Sequence, residues 1–479
     1  MSIQDFEKVI GLEIHVRIKS NTKMFCSCKN AVALASEPNM NVCPICEGFP
    51  GMLPTLNSKV VRLGLIGGMM MNCEVNKISR FDRKTYFYPD NPTSYQITQM
   101  YEPIVGVGSV KTLVNGEVRE FSIHHMHLEN DAGKLVHAGG KTLCDYNRAG
   151  SPLMEIVTNP VFKDKDEVME FLKELQKLFR YAGVSDADME AGQLRCDVNL
   201  SIMPVGSTTF GTRVELKNIN SFSSIGRAIE TEFARQVKIV EAGGQIDQET
   251  RGWDDDKGIS HTQRSKEDAM DYRYFPEPDL LPIVLDDEFI EECRKSLPEL
   301  PVEKRIRYLH DFGLGDDDAR ILSSDRNLAE YFDKVVDISK DSKKSCAYIT
   351  TVILALMKEN FIDDISKINI TPEELSEVIK MVNADELSST NAKIVVEELF
   401  ANGGSVRNIA TEKNLIQKND LGALEKIVDD VIALNPTQIA DYKSGNERIF
   451  GFLVGQCMKA SAGAGNPKIF NELLKKKLG

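Results

Sequence analysis

The sequence predicts a mixed α and β body followed by a helical middle and a small helical tail. Three observations carry this expectation. To about residue 290 the chain mixes strand-like runs with Gly/Pro turns, and six of its seven histidines fall before residue 262. From there helix formers with a 3.6-residue period take over and aromatics thin out. A further break falls at Asn402-Gly403-Gly404, after which only short helical segments follow.

In the body, the run Val9 to Ile18 is the clearest strand. Ile10, Leu12, Ile14, Val16 and Ile18 alternate with Gly11, Glu13, His15 and Arg17, which puts the polar three on one face. A carboxylate and an imidazole two residues apart on a strand reach one cation. A solvent-facing polar row satisfies the same spacing. His124-His125-Met126-His127-Leu128-Glu129-Asn130-Asp131 gathers three imidazoles and two carboxylates before a small-residue turn. Glu155 sits within the apolar run Leu153-Met154-Glu155-Ile156-Val157, where a carboxylate calls for a partner or a metal. Hard oxygen donors with one imidazole suit Mg²⁺ or Mn²⁺, and a salt bridge at a strand end is the alternative for Glu155.

Ten cysteines in a long chain with no visible signal peptide do not make a disulfide scaffold. Cys73, Cys144, Cys196, Cys293, Cys346 and Cys457 are scattered singly and read as small buried hydrophobes. Cys26 and Cys28 form one close pair, Cys43 and Cys46 a second, with fourteen residues between the pairs. Four thiolates close a tetrahedron and leave no open position, so the expectation is structural Zn²⁺, with free thiols as the alternative.

In the helical region, Thr371-Pro372-Glu373-Glu374 is a capping box, and Leu375, Val378, Ile379 and Val382 make one apolar stripe behind it. The tail ends in Lys475-Lys476-Lys477, read as a solvated helix end or as a contact to phosphate. A net charge of −14 opposes indiscriminate nucleic-acid binding and leaves room for a local basic surface. No apolar run is long enough to span a membrane, so a cytoplasmic protein is expected. Neither a G-x-x-x-x-G-K-[ST] nor a G-x-G-x-x-G motif is present. His127-Leu128-Glu129 matches a deaminase H-x-E fragment, but the Cys-x-x-Cys precedes it instead of following.

The runs Gly11–Val16, Asn41–Cys46, Phe81–Asp90, Asp145–Gly150, Leu194–Asn199, Arg213–Ser221, Arg264–Glu267 and Asp271–Pro278 together resemble the B subunits of the aspartyl/glutamyl-tRNA amidotransferases. Gly451–Gln456 through Asn466-Pro467 resembles that family's ending, so the likeness is ordered and runs end to end. The resemblance implies an α+β fold class: a cradle-like domain on an antiparallel sheet with helices (1–292), an all-α middle (293–405) and an all-α tRNA-binding tail (406–479).

It also implies an activity. Glu or Asp misacylated onto tRNA would be phosphorylated by ATP on its side-chain carboxylate and then amidated by ammonia. Glu13, His15, Glu129 and Glu155 would then hold Mg²⁺ at the catalytic centre, Lys84, Tyr86 and Arg148 would meet the cofactor, and Cys26, Cys28, Cys43 and Cys46 would hold Zn²⁺. Family patterns usually read Glu-Glu-Asp where this chain has Glu129-Asn130-Asp131, which removes Asn130 as a charge partner and leaves Asp131 and Asp197 in reserve.

The chain carries no Ser-Ser-Lys amidase signature and no glutaminase cysteine context. By the resemblance, an amidase partner and a small third subunit in a heterotrimer supply ammonia through a channel entering near this site. Arg83 to Tyr88 combines cations with aromatics as an RNA end requires, or forms a core strand with charged flanks. Two other classes compete: a non-catalytic tRNA-binding scaffold, and a zinc hydrolase or deaminase.

Overall fold

A computed structural model describes residues 3–30, 37–265, 271–417, 421–461 and 465–479. Lys266 and Glu267, within the Arg264–Glu267 run, lie outside the described residues. Contacts divide the chain into two compact units, Met1–Glu303 and Lys304–Gly479.

The first unit is built on an eight-stranded sheet. In chain order its strands are β1 (Phe6–Arg17), β2 (Gly108–Val114), β3 (Glu117–Asn130), β4 (Pro152–Thr158), β5 (Leu194–Pro204), β6 (Val214–Lys217), β7 (Glu249–Asp254) and β8 (Ile259–Ser265). Across the sheet they run β8-β7-β6-β5-β1-β4-β3-β2. Every neighbouring pair is antiparallel except β6 and β7, so the class is α+β.

β1 lies centrally, and its period-two pattern decides which face is dry. Ile10, Leu12, Ile14 and Val16 are fully buried, with Ile156 on β4 and Cys196 on β5 flanking Ile14. Helices α1 (Ser58–Met70), α2 (Lys165–Tyr181) and α3 (Phe222–Glu241) pack on the sheet. α2 starts at an Asp164 cap and buries Val168, Phe171, Leu172, Leu175, Leu178 and Phe179, the single apolar stripe of an amphipathic helix.

α1 packs closer, and glycine is the reason. A Cβ at Gly64 would lie 2.7 Å from Leu128 Cδ2, and one at Gly68 would lie 2.7 Å from Val105 Cγ1. Gly64 is therefore seated on Leu128 of β3. Alternation then turns the neighbours of Leu128, His127 and Glu129, to the opposite face.

A small three-stranded sheet joins Asp82–Thr85 to Tyr95–Thr98 and Phe275–Pro276. Arg83 fastens it. Its guanidinium bonds Glu277 at 2.7 and 2.9 Å and Asp279 at 2.9 Å, and it lies 4.2 Å from the Tyr95 ring centroid.

The second unit is helical. The Thr371 capping box is present and starts the helix Pro372–Asn383, with Leu375, Val378 and Ile379 buried and Val382 partly so. The helix Ser389–Asn402 stops at Gly403 and Gly404, whose φ values of 65° and 117° belong to glycine. Two hydrophobic clusters fill this unit, one from Tyr308 to Leu415 and one from Leu424 to Leu478. Among the described residues no helix is long and apolar enough to cross a membrane.

Candidate metal centre

Strand register assembles the site. His15 on β1 lies opposite Glu155 on β4 and Arg195 on β5, and Glu155 lies opposite His127 on β3. His127, Glu155, His15 and Arg195 thus form one row across four adjacent strands. Glu129, two residues along β3 from His127, reaches back into the row. His15 Nε2 stands 3.5 Å from Glu129 Oε1 and 3.3 Å from Glu155 Oε2. Ligand atoms of His15, Glu129 and Glu155 all fall within 4.8 Å of one another.

The sequence singled out Glu13 as a fourth member, and the structure sets it outside this cluster. Its carboxylate accepts from Asn199 Nδ2 at 3.0 Å, one step along the same face. Burial, followed by the charges of Glu155 and Glu215, raises its pKa. Asn130 is also outside: its amide oxygen accepts from Ile97 N at 2.9 Å, so it braces the Tyr95–Thr98 strand. Of the two reserve carboxylates, Asp131 is held by Arg195 at 2.9 Å and Arg148 at 3.3 Å, and Asp197 by Lys217 at 2.6 Å.

His127 is the neighbour that spacing left undistinguished among three imidazoles. Its Nε2 lies 3.5 Å from Glu155 and 3.7 Å from Glu129, and its Nδ1 lies 3.2 Å from His125. Burial favours neutral His127, but Glu155 and Glu129 outweigh it and push the pKa up to about 10. His15 is raised against the same burial, chiefly by Glu155. Burial works against ionised Glu155, yet the two imidazoles hold it well below the carboxylate range. His125 is driven down to about 4 by burial and by His127 and His124.

The shifts of His15, His127 and Glu155 share one cause. Two carboxylates turned into the sheet, Glu129 only 2% exposed, require positive charge between them. Protonated imidazoles supply it, and so does a divalent cation on neutral ones. Two carboxylates and one nitrogen are a donor set that fits Mg²⁺ or Mn²⁺. A cavity of about 180 Å³, lined by His15, Glu129, Tyr86, Asp90, Gln96 and Arg195 among others, leaves the cluster open on one side.

The expected cofactor contacts divide. Tyr86 lines this cavity and stacks on Tyr88 with ring centroids 5.8 Å apart. Lys84 Nζ stands 4.8 Å from the Tyr272 ring centroid. Burial lowers its pKa, but Glu129, Tyr274 and Glu155 raise it further. Arg148 is committed to the protein itself, bonding Ala132 O at 3.0 Å and Gly133 O at 2.6 Å besides Asp131. In the Arg83 to Tyr88 stretch the Arg83 fork is likewise used internally, while Phe87 and Tyr88 are exposed. In the tail, Lys477 pairs with Asp429 and Glu425.

The four cysteines converge separately, their sulfurs also within 4.8 Å of one another. Cys46 Sγ accepts from Cys43 N at 3.1 Å and from Lys23 Nζ at 3.5 Å. A hydrogen bond from Cys26 outweighs burial, and with Cys43 N and Lys23 it brings the Cys46 thiol down to about 5. Burial and Cys43 push Cys28 up to about 11. Four sulfurs, one poised as thiolate beside a wholly buried ammonium, are a donor set that fits a closed zinc tetrahedron. No sequence signal pointed to Lys23. Among the described residues no cluster mixes His with Cys, so the H-x-E fragment at His127 lacks the thiol ligands of a deaminase.

Residues 8–291 match the family model described as the GatB/GatE catalytic domain, and residues 330–478 match the GatB domain. The aspartyl/glutamyl-tRNA(Asn/Gln) amidotransferase B subunit of Persephonella marina is 46% identical over 475 residues, covering 99% of this chain and 100% of that protein. The chain belongs to the family of amidotransferase B subunits. Its counterparts in Moorella thermoacetica, 45% identical over 99% of this chain and 100% of the relative, and in Myxococcus xanthus, 45% identical over the whole of both, carry the same description. The GatB/GatE catalytic match takes in both clusters, and the GatB match lies within the helical unit.

Proposed function

We propose that this chain is the synthetase subunit of a tRNA-dependent amidotransferase, converting Glu or Asp misacylated on tRNA to the amide with ATP and ammonia. The His15–Glu129–Glu155 cluster, with His15 and Glu129 lining a cavity on the sheet, is the observation that carries this reading. A carboxylate is a poor electrophile, so its oxygen first takes the γ-phosphoryl group of ATP, and ammonia then displaces phosphate. Such transfer is catalysed by positioning and charge neutralisation. Mg²⁺ held by His15, Glu129 and Glu155 would neutralise phosphate charge and orient it. Glu13 and His127 stand beside the cluster and set the charge and orientation of its members. Lys84, whose ammonium is favoured by Glu129 and Glu155, adds a fixed positive charge at the site. Arg195 holds Asp131 at the cavity wall.

Ammonia comes from an amidase partner, with a small third subunit completing a heterotrimer, and the cysteine cluster holds a structural Zn²⁺. The test assays the chain with its amidase partner, ATP, glutamine and each misacylated tRNA in turn. The expected result is ATP-dependent amide formation that Glu155→Gln removes while tRNA affinity stays within a few-fold. Near-normal amidation by Glu155→Gln would return the chain to a tRNA-binding scaffold.

A further inference from the structure

Lys23 is wholly buried, and the proposed reaction makes no use of it. Its main chain belongs to the first cysteine pair, Lys23 N donating to Cys28 O at 2.9 Å. Its side chain crosses to the second pair, where Nζ donates to Cys46 Sγ at 3.5 Å. The same Nζ donates to Asn41 O at 2.9 Å and to Tyr146 O at 3.4 Å. These three contacts occupy every N–H of an ammonium. Two of the acceptors are neutral carbonyls, which satisfy hydrogen bonds without cancelling charge. Among the described residues no carboxylate pairs with Lys23. A lysine is almost never fully buried without an anion, because an uncompensated charge away from water is costly. Of the three acceptors, the sulfur alone can carry that negative charge.

We infer that Lys23 is the counter-ion of the zinc centre, a fifth member that does not itself touch the metal. The inference rests on the proposal that the cysteine cluster holds Zn²⁺. Four thiolates on one divalent ion leave two negative charges in excess. Away from water that excess needs a cation as much as Lys23 needs an anion, and each removes the other's cost. Lys23 is thus a positioning residue: it orients the Cys46 sulfur and lowers the net charge of the centre. It also makes closure of the cysteine loop conditional on the metal. With zinc present the buried cation is compensated. Without zinc the sulfurs hold less negative charge, and the same cation becomes a liability.

The experiment compares the full chain with Lys23→Met, which keeps the side chain's length without its charge, and Lys23→Gln, which keeps a donor without the charge. Zinc affinity is read by competition with a chromophoric chelator. Stability is read by urea unfolding with and without zinc. Both variants should bind zinc about 10- to 100-fold more weakly, the scale of losing a partner that orients a metal ligand. With Co²⁺ in place of zinc, the sulfur-to-cobalt charge-transfer band should move to longer wavelength, because the Cys46 sulfur loses its positive neighbour. Lys23→Met should lower the urea midpoint of the zinc-loaded chain. It should leave the zinc-free midpoint unchanged or raised, since an apolar group in place of a buried ion is often neutral or stabilising. A midpoint lowered equally with and without zinc, as a merely structural lysine would give, overturns the inference. So does wild-type zinc affinity in Lys23→Gln, which would assign the effect to hydrogen bonding and not to charge. Should Lys23→Met fail to fold, Lys23→Gln carries the affinity and cobalt readings alone. A wild-type chain that takes up no zinc removes the zinc centre and this inference together. Zinc bound equally by all three chains removes the inference and leaves the centre standing.

Discussion

The His15–Glu129–Glu155 cluster and the Cys26–Cys28–Cys43–Cys46 cluster each gather their donor atoms within 4.8 Å, yet they are built by different means. The first is laid across paired strands, its members brought together by register from residues far apart in sequence, and it opens into a cavity. The second comes from two short loop segments drawn around one point, with four donors and a buried lysine against one of them. An open site of hard donors on a rigid sheet leaves coordination positions for a reacting group. A closed site of soft donors on loop holds its loop in shape. The contrast teaches that donor count, donor softness and backbone support together separate a reactive metal centre from a structural one.

Breaking each cluster in turn tests the contrast. The largest effect is expected from Glu155→Gln, which should lower ATP-dependent amide formation about 10³-fold, the upper end of the scale of losing a preorganised electrostatic group at the reacting atoms. Equilibrium binding of tRNA should stay within a few-fold. Cys43→Ser should do the reverse: zinc content measured on the purified chain falls, and stability drops by more than about 2 kcal/mol in urea unfolding. Magnesium-dependent amidation per folded molecule should persist. A variant that kept its stability but lost Mg²⁺ binding would erase the distinction.

Glu13→Gln sharpens the comparison. Because Glu13 bonds Asn199 and stands one step from the cluster, its loss should cost amidation about 10- to 100-fold, less than Glu155→Gln, as for partners that orient a ligand. Equal losses from the two variants in parallel kinetics would place Glu13 among the ligands themselves.

The smallest effect concerns pH in magnesium-free buffer. His127 has its folded pKa raised to about 10 from an ordinary 6.5, so its stabilising contribution is complete below about 6.5 and is lost as pH climbs toward 10. Glu155 is depressed below its ordinary 4.5, so its contribution holds above 4.5 and is lost as pH falls beneath that value. The urea midpoint should therefore be highest between these limits and decline on the alkaline side. His127→Gln should flatten the alkaline decline, and an unchanged alkaline limb in that variant would contradict the charge pairing.

Much of this was legible in the sequence, for local reasons. Alternation from Ile10 to Ile18 placed Glu13, His15 and Arg17 on one face, the Thr371 box started its helix, and the cysteine spacing drew four thiols together. What escaped is what register decides. Nothing local says that His15 faces Glu155 and that Glu155 faces His127, so Glu13 looked as good a ligand as Glu129. Lys23 stands directly before Met24-Phe25, but a lysine beside an apolar pair ordinarily reads as its charged flank, and its burial arises only when the loop folds over it. Arg83 and Arg148 read as free cations because Glu277 and the carbonyls of Ala132 and Gly133 that occupy them come from separate parts of the fold.

The central claim is that Mg²⁺ or Mn²⁺ is held by His15, Glu129 and Glu155 and not by the cysteines. Mn²⁺ binding followed by electron paramagnetic resonance on the full chain tests it most directly, comparing wild type with Glu155→Gln and Cys43→Ser. The expected result is a bound-Mn²⁺ signal in wild type that Glu155→Gln loses and Cys43→Ser keeps. Equal binding by wild type and Glu155→Gln would contradict it.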